Sequence, residues 1–153
     1  MDTHTTLKMP GTPKPWMNAA MRIMMGLPGL RRLLGKSFAM ISVTGAKTGR
    51  SYSTPVQWLK MDNSYVVLSQ KHRIWWRNIR TRPRVDLAIG GHTIHGQAHI
   101  AKDTEAFHVL AACLTGNPRI AKFYGIQPGE SAPVDPADIL RLSDMVVPIV
   151  INP

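Results

Sequence analysis

The chain has 153 residues, 44% of them hydrophobic, and a formal net charge of +10 at neutral pH. That length suits one domain with one sizeable core. The lone cysteine, Cys113, excludes an internal disulfide, so a cytoplasmic setting is expected. No window approaches the ~20 apolar residues of a spanning helix, and Arg22, Arg31 and Arg32 interrupt the apolar run that a signal peptide would need.

The charge is unevenly placed. Residues 1–100 hold fifteen of the nineteen Lys/Arg but only three of the nine acids, a net +12, whereas residues 101–153 carry −2. A basic field of this kind suits nucleic acid, anionic lipid or a small polyanion such as a phosphorylated cofactor.

In chain order, residues 1–15 contain Pro10, Gly11, Pro13 and Pro15 and read as a loose arm before a single domain at 16–153. Residues 16–34 read as a helix broken at Gly26–Gly29, with Met17, Met21 and Met24, then Leu30, Leu33 and Leu34, at helical spacing. Such a stripe packs on a core. With Arg22, Arg31 and Arg32 beside it, it also suits a pocket lid or a segment lying on a membrane.

Strand patterns follow at FAMISV (38–43), PVQWLK (55–60) and YVVLS (65–69), with a turn at MDNS (61–64). HRIWWRNIR (72–80) reads as a short helix closed by Arg82-Pro83. VDLAI (85–89) and TIHGQAHIA (93–101) form a hairpin around Gly90-Gly91-His92, with Ile94, Gly96, Ala98 and Ile100 facing inward. A helix over 103–114 has Asp103 as its expected N-cap and Phe107, Leu110, Ala111 and Leu114 as its stripe. A shorter helix at 117–124, a polar loop at 128–136, a helical turn near 136–142 and a last strand at 145–151 complete the chain. The order predicts an α+β fold, mainly β: a six-stranded antiparallel barrel with flanking helices.

The connection TGAKTGRSYSTP (44–55) carries the most chemistry. It lacks the glycine spacing of a P-loop, and its Lys-Thr-Gly triplet has no Ser-x-x-Lys partner elsewhere in the chain. What remains is a strand end with glycines that free backbone N–H groups, Lys47 and Arg50 for charge, and Ser51, Ser53 and Thr54 as donors. This mixture exceeds what a solvated turn needs and suits an anion cradle. Charge-assisted bonds of that type contribute about 1.5–3 kcal/mol each.

Ser69 to Asn78 places Trp75 and Trp76 among Lys71, Arg73 and Arg77. Adjacent tryptophans cannot share one helix face: either both pack as a cap on the barrel, or one enters the core and the other flanks a groove, and the neighbouring cations favour a groove for an aromatic anion. Single-stranded nucleic acid is a weaker reading, because 7% aromatics provide no stacking stripe. His95 and His99 share a strand face but lie ~13 Å apart, too far for one metal ion. No metal site is expected. Cys113 reads as structural, and Asp62 and Asp86 are too few for carboxylate-driven hydrolysis.

VTGAKTGRSYSTPV, YVVLS, WWRNIRTRPRV and the terminal VVPIVINP, in this order, resemble the deazaflavin-dependent nitroreductase family, split β-barrels of the flavin-reductase-like group. The resemblance implies hydride transfer from reduced coenzyme F420 to a quinone, enone or nitroaromatic. Lys47 and Thr48 match the family's grip on the cofactor phosphate, and Pro55 its strand-opening proline. Ala46 and Tyr52 stand where the family has basic residues, and Arg50 is placed to supply charge nearby. Ser53, Thr54 and Val56 would line the deazaflavin, and Trp75, Trp76 and Asn78 match the helix that closes the groove. The full expected set is Ala46, Lys47, Thr48, Arg50, Tyr52, Ser53, Thr54, Pro55, Val56 and Gln57, then Leu68, Ser69 and Gln70, then Ile74, Trp75, Trp76, Arg77 and Asn78. Ser69 and Tyr124 are the residues expected to polarise substrate. The alternatives are an FMN-binding flavin reductase, a non-catalytic flavin or tetrapyrrole carrier on the same barrel, and a basic nucleic-acid module.

Overall fold

The computed structural model describes residues 15–29, 36, 38–126 and 134–153. The expected arm before Pro15, the second helical piece with Leu30, Leu33 and Leu34, and most of the 128–136 loop lie outside the described residues.

Helix α1 spans Pro15–Gly26, starting at a proline and ending at the first glycine of the expected break. Strands β1 (Phe38–Thr44), β2 (Ser51–Met61) and β3 (Ser64–Gln70) follow. A short 3₁₀ helix covers Trp75–Arg80, and β4 (Arg84–Ile89) and β5 (His92–Ile100) form a hairpin. Three helices come next: α2 (Asp103–Gly116), α3 (Pro118–Phe123) and α4 (Pro136–Met145). Strand β6 (Val146–Asn152) ends the fold.

The strands close a six-stranded barrel in the order β1-β2-β3-β6-β5-β4, and every neighbouring pair is antiparallel. Closure leaves few strand edges open to other chains. Where β5 meets β6, Gly96 is required, since a Cβ there would stand 2.6 Å from the Asn152 carbonyl oxygen.

Alternation along the strands builds two cores. Ile41, Val43, Val56, Val67, Leu87, Ile149 and Ile151 fill the barrel with Trp76 and Ile79 from the 3₁₀ helix. Val66, Leu68, Val146 and Val150 point the other way, under Leu110, Leu114, Ile126 and Leu142 of the helical layer. Burying each such side chain contributes about 1.5–3 kcal/mol.

Three local expectations are corrected. The helix expected over 72–80 forms only at Trp75–Arg80, and as 3₁₀. Strand β2 begins at Ser51 rather than Pro55, because Ser51–Thr54 pair with Ile41–Thr44 of β1. The N-cap of α2 is Lys102, with no side-chain cap bond, and Asp103 is the first helical residue, at φ +49°. True side-chain caps occur at Asn117, which accepts from Arg119 N–H, and Asp135, which accepts from Ala137 N–H.

Candidate functional site

Strand β2 leaves the barrel half-paired. Its register with β1 runs from Ser51 to Gln57, but its register with β3 begins only at Trp58↔Val67. The end of β3, Leu68–Gln70, pairs instead with β6. The barrel wall therefore splits between Ser51–Gln57 and Leu68–Gln70. Helix α1 packs on this part of β2, and the Arg22 guanidinium donates to the Ser53 carbonyl. Beneath it, the hydroxyls of Ser42 and Ser53 lie 2.8 Å apart.

The turn between β1 and β2 stands at one end of the split. Its main chain closes on itself: Gly45 N–H donates to the Arg50 carbonyl at 2.8 Å, and Gly49 N–H to the Gly45 carbonyl at 2.9 Å. Gly49 adopts φ +67°, a left-handed conformation that glycine takes without strain. Lys47, Thr48, Gly49 and Arg50 are exposed. Among the described residues, no carboxylate pairs with Lys47 or Arg50; the ion pairs are His95–Asp86, His99–Glu105 and Arg141–Asp138. Two cations without counter-charges beside a tight turn are an electrostatic arrangement that favours an anion.

The 3₁₀ helix braces the turn. Asn78 Oδ1 accepts from Ala46 N–H at 2.9 Å, and Asn78 Nδ2 donates to the Trp75 carbonyl at 3.0 Å. The two tryptophans part as the helix geometry requires. Trp76 enters the barrel core, with Arg77 and Arg80 over its ring at 5.6 and 5.2 Å. Trp75 stays half-buried against that core, and among the described residues its indole N–H, like that of Trp76, is enclosed without a protein partner. Ile74 beside it is largely exposed.

The structure thus brings Ala46, Lys47, Thr48, Arg50 and Tyr52 together with Asn78. Alternation divides the β2 residues. Val56 is in the barrel core, whereas the Ser53 hydroxyl meets that of Ser42, which alternates with core-facing Ile41 and Val43. Thr54 shares the parity of Val56, and Pro55 and Gln57 that of Ser53, so one ligand face cannot meet all five side chains. Leu68 belongs to the helical-layer core. Ser69 is 3% exposed, its hydroxyl 3.4 Å from the Gln70 carbonyl. Tyr124 stands apart from the group. It is 3% exposed in the helical-layer core, and burial, with the nearby Cys113, pushes its phenol up to about 12.

Two features have no signature in the sequence. Arg22 reads there only as a flanking charge, yet it reaches the β2 main chain. The Ala46–Asn78 bond links residues 32 apart, a pairing that no local pattern signals. The histidines behave as expected of exposed strand residues: His95 pairs with Asp86 at 2.6 Å and His99 with Glu105 at 2.7 Å. Among the described residues no cluster of metal-binding side chains occurs.

A cleft of about 700 Å³ lies on the other side of the 3₁₀ helix, lined by Trp76, Arg80, Lys102, Phe107, Leu140 and Pro148 among others. None of residues 45–57 lines it, and its wall mixes Asp103 and Asp144 with Lys71, Arg80 and Lys102. The turn differs in that, among the described residues, no carboxylate pairs with its cations.

Known structures share this architecture. An F420-H2 dependent reductase (FDR-A) superposes with a TM-score of 0.54 at 15% identity, covering 76% of this chain and 95% of its own. A chain described as a domain-swapped dimer gives 0.56 at 15% identity, with 88% and 93% covered. A pyridoxinephosphate oxidase family protein of Clostridium acetobutylicum, related to general stress protein 26, gives 0.54 at 9% identity, with 86% and 83% covered. At these identities the likeness establishes the split-barrel fold. The family profile for F420H(2)-dependent quinone reductase matches residues 16–125, and the chain belongs to that family, whose cofactor is coenzyme F420.

Proposed function

We propose that the protein is an F420H2-dependent oxidoreductase that reduces a quinone, with enones and nitroaromatics as further acceptors of the same electron-poor type. The observation that carries this reading is the turn at Gly45–Arg50. Its cations lack counter-charges among the described residues, and it opens onto a stretch of β2 that has no second strand partner. The residues fit the cofactor. Lys47, Thr48 and Arg50 hold its phosphate, and the edge of β2 that has no second strand partner lies against its ring.

When bound, the reduced cofactor supplies one hydride to the acceptor. The chain's own task is to anchor, orient and exclude water. A proton from water completes the hydroquinone, so no protein acid is required. Tyr124 is poorly suited to that role, being buried with its phenol pushed up to about 12. Ser69, the other residue expected to polarise substrate, is as buried as Tyr124, at 3% exposed.

The acceptor's character is suggested by α1. Trp16 and Ile23, seven residues apart, share one face of α1, and Leu27 follows just beyond its end; they are 65%, 69% and 52% exposed. Such a stripe on a basic domain suits the interfacial layer of an anionic membrane, where lipid-soluble quinones reside. No described helix is long and apolar enough to cross a membrane.

The test is an equilibrium titration with F420 and with FMN, followed by anaerobic oxidation of F420H2 with a quinone, an enone and a nitroaromatic. F420 preference and fastest turnover of the quinone are expected. Preference for FMN would make the protein a flavin reductase, and tight binding without turnover of any acceptor would make it a carrier. Oligonucleotide binding that falls steeply with salt would favour the nucleic-acid reading instead.

A further inference from the structure

We infer that Asn78 is a positioning residue for the anion-binding turn, acting through the Ala46 main chain. This rests on the F420 reading of the site and assigns Asn78 a role different from ligand contact. Both functional ends of its carboxamide are engaged within the protein. The Oδ1 atom accepts from Ala46 N–H at 2.9 Å, and Nδ2 donates to the Trp75 carbonyl at 3.0 Å. The side chain is half-buried, so both bonds form in a setting where water competes weakly.

The geometry gives the pair of bonds a purpose. The turn is closed by its own main chain at Gly45 and Gly49, but those bonds fix only its shape. Its ends are held by the Thr44↔Ser51 pair of β1 and β2, and Asn78 adds a tie from its Ala46 end to the 3₁₀ helix. That tie joins the residue preceding Lys47 to the carbonyl of Trp75. Asn78 thereby fixes the Ala46 end of the turn that carries Lys47, Thr48 and Arg50 against the 3₁₀ helix, so that the turn's donors are ordered before a ligand arrives. Preorganised donors bind more tightly than donors that must be ordered by the ligand.

A residue acting this way affects the cofactor's anionic handle and leaves its ring alone. In Asn78→Ala, the dissociation constant for F420 should rise about tenfold. That for the bare deazaflavin chromophore, which lacks the phosphate and acidic tail, should stay within about twofold. In the cofactor-free protein, hydrogen exchange at the Ala46 amide should accelerate in Asn78→Ala and remain slow in Asn78→Asp, which keeps the acceptor. Combined with Lys47→Ala, the Asn78→Ala loss for F420 should be less than additive.

Equal losses for F420 and the bare chromophore, or unchanged Ala46 exchange in Asn78→Ala, would overturn the inference. If Asn78→Ala does not fold, Asn78→Asp decides it alone: fast Ala46 exchange there contradicts the tie. Because exchange is read without cofactor, it reports on the tie even if the wild-type protein binds no F420.

Discussion

The Tyr52 hydroxyl lies 3.0 Å from Thr48 Oγ1, and the Tyr52 ring lies directly over Gly45. A Cβ on Gly45 would stand 2.6 Å from Tyr52 Cε2 and 2.8 Å from Thr48 Oγ1. Gly45 thus allows the phenol to reach the turn, and Thr48 Oγ1 in turn accepts from Arg50 N–H at 3.3 Å. Tyr52 occupies the place where an arginine is expected from the family resemblance. It contributes a hydrogen-bonded hydroxyl there instead of a charge.

Gly45→Ala should displace Tyr52 and Thr48 and cost about 1–3 kcal/mol of stability. Its F420 affinity should fall by more than that of Tyr52→Phe, which keeps the ring and loses only the hydroxyl. Denaturant unfolding and fluorescence titration of both variants measure this. Unchanged stability in Gly45→Ala would show that the ring moves aside freely.

Alkaline stability should be limited by two buried groups. Burial pushes the Cys113 thiol from its ordinary value of 9.0 up to about 12, and the Tyr124 phenol from 10.0 up to about 12. Both are neutral when protonated, so the folded state retains protons that the unfolded chain releases. Their contribution is complete below pH 9 and is lost as pH rises towards 12. Each adds a slope of about 1.4 kcal/mol per pH unit where only the unfolded form is ionised. Urea unfolding between pH 8 and about 11 should show this decline, and Cys113→Ala should make it shallower. An equally steep decline in Cys113→Ala would mean the thiol does not contribute.

The α1 stripe should bind membranes. Wild-type protein should co-sediment with vesicles containing anionic lipid and do so less with neutral vesicles. Replacing Trp16 and Ile23 with serine should abolish most of that binding, since each buried apolar side chain contributes about 1.5–3 kcal/mol. F420 affinity should not change. Wild-type protein that ignores both vesicle types would leave the stripe without this role.

Much of the barrel was legible because strand alternation is written in the side chains, as in β1, where Ile41 and Val43 point into the barrel. Strand β6 was legible for a different reason: its unbroken apolar run gives a strand buried on both sides. The start of β2 was not legible. Ser51, Tyr52, Ser53 and Thr54 have no apolar alternation, and their extended form comes from pairing with β1. The cations of the turn could be read from composition, but their lack of counter-charges among the described residues is a tertiary fact. So is the division of β2, which sends Val56 into the core while Ser53 meets Ser42. Tyr124 illustrates the same limit, since a tyrosine at a helix end looks alike in sequence whether it faces a pocket or a core. Pro15 offers a readable sign of a helix start, yet the surrounding prolines make it look like part of the arm.

The most direct test is charge reversal at the turn. F420 should bind the wild-type protein, and Lys47→Glu should weaken it by about 100-fold or more, because an attractive charge-assisted contact becomes a repulsive one. The bare deazaflavin chromophore should bind the two proteins alike. F420 affinity that survives Lys47→Glu unchanged would place the cofactor's anionic handle elsewhere and contradict the site described above.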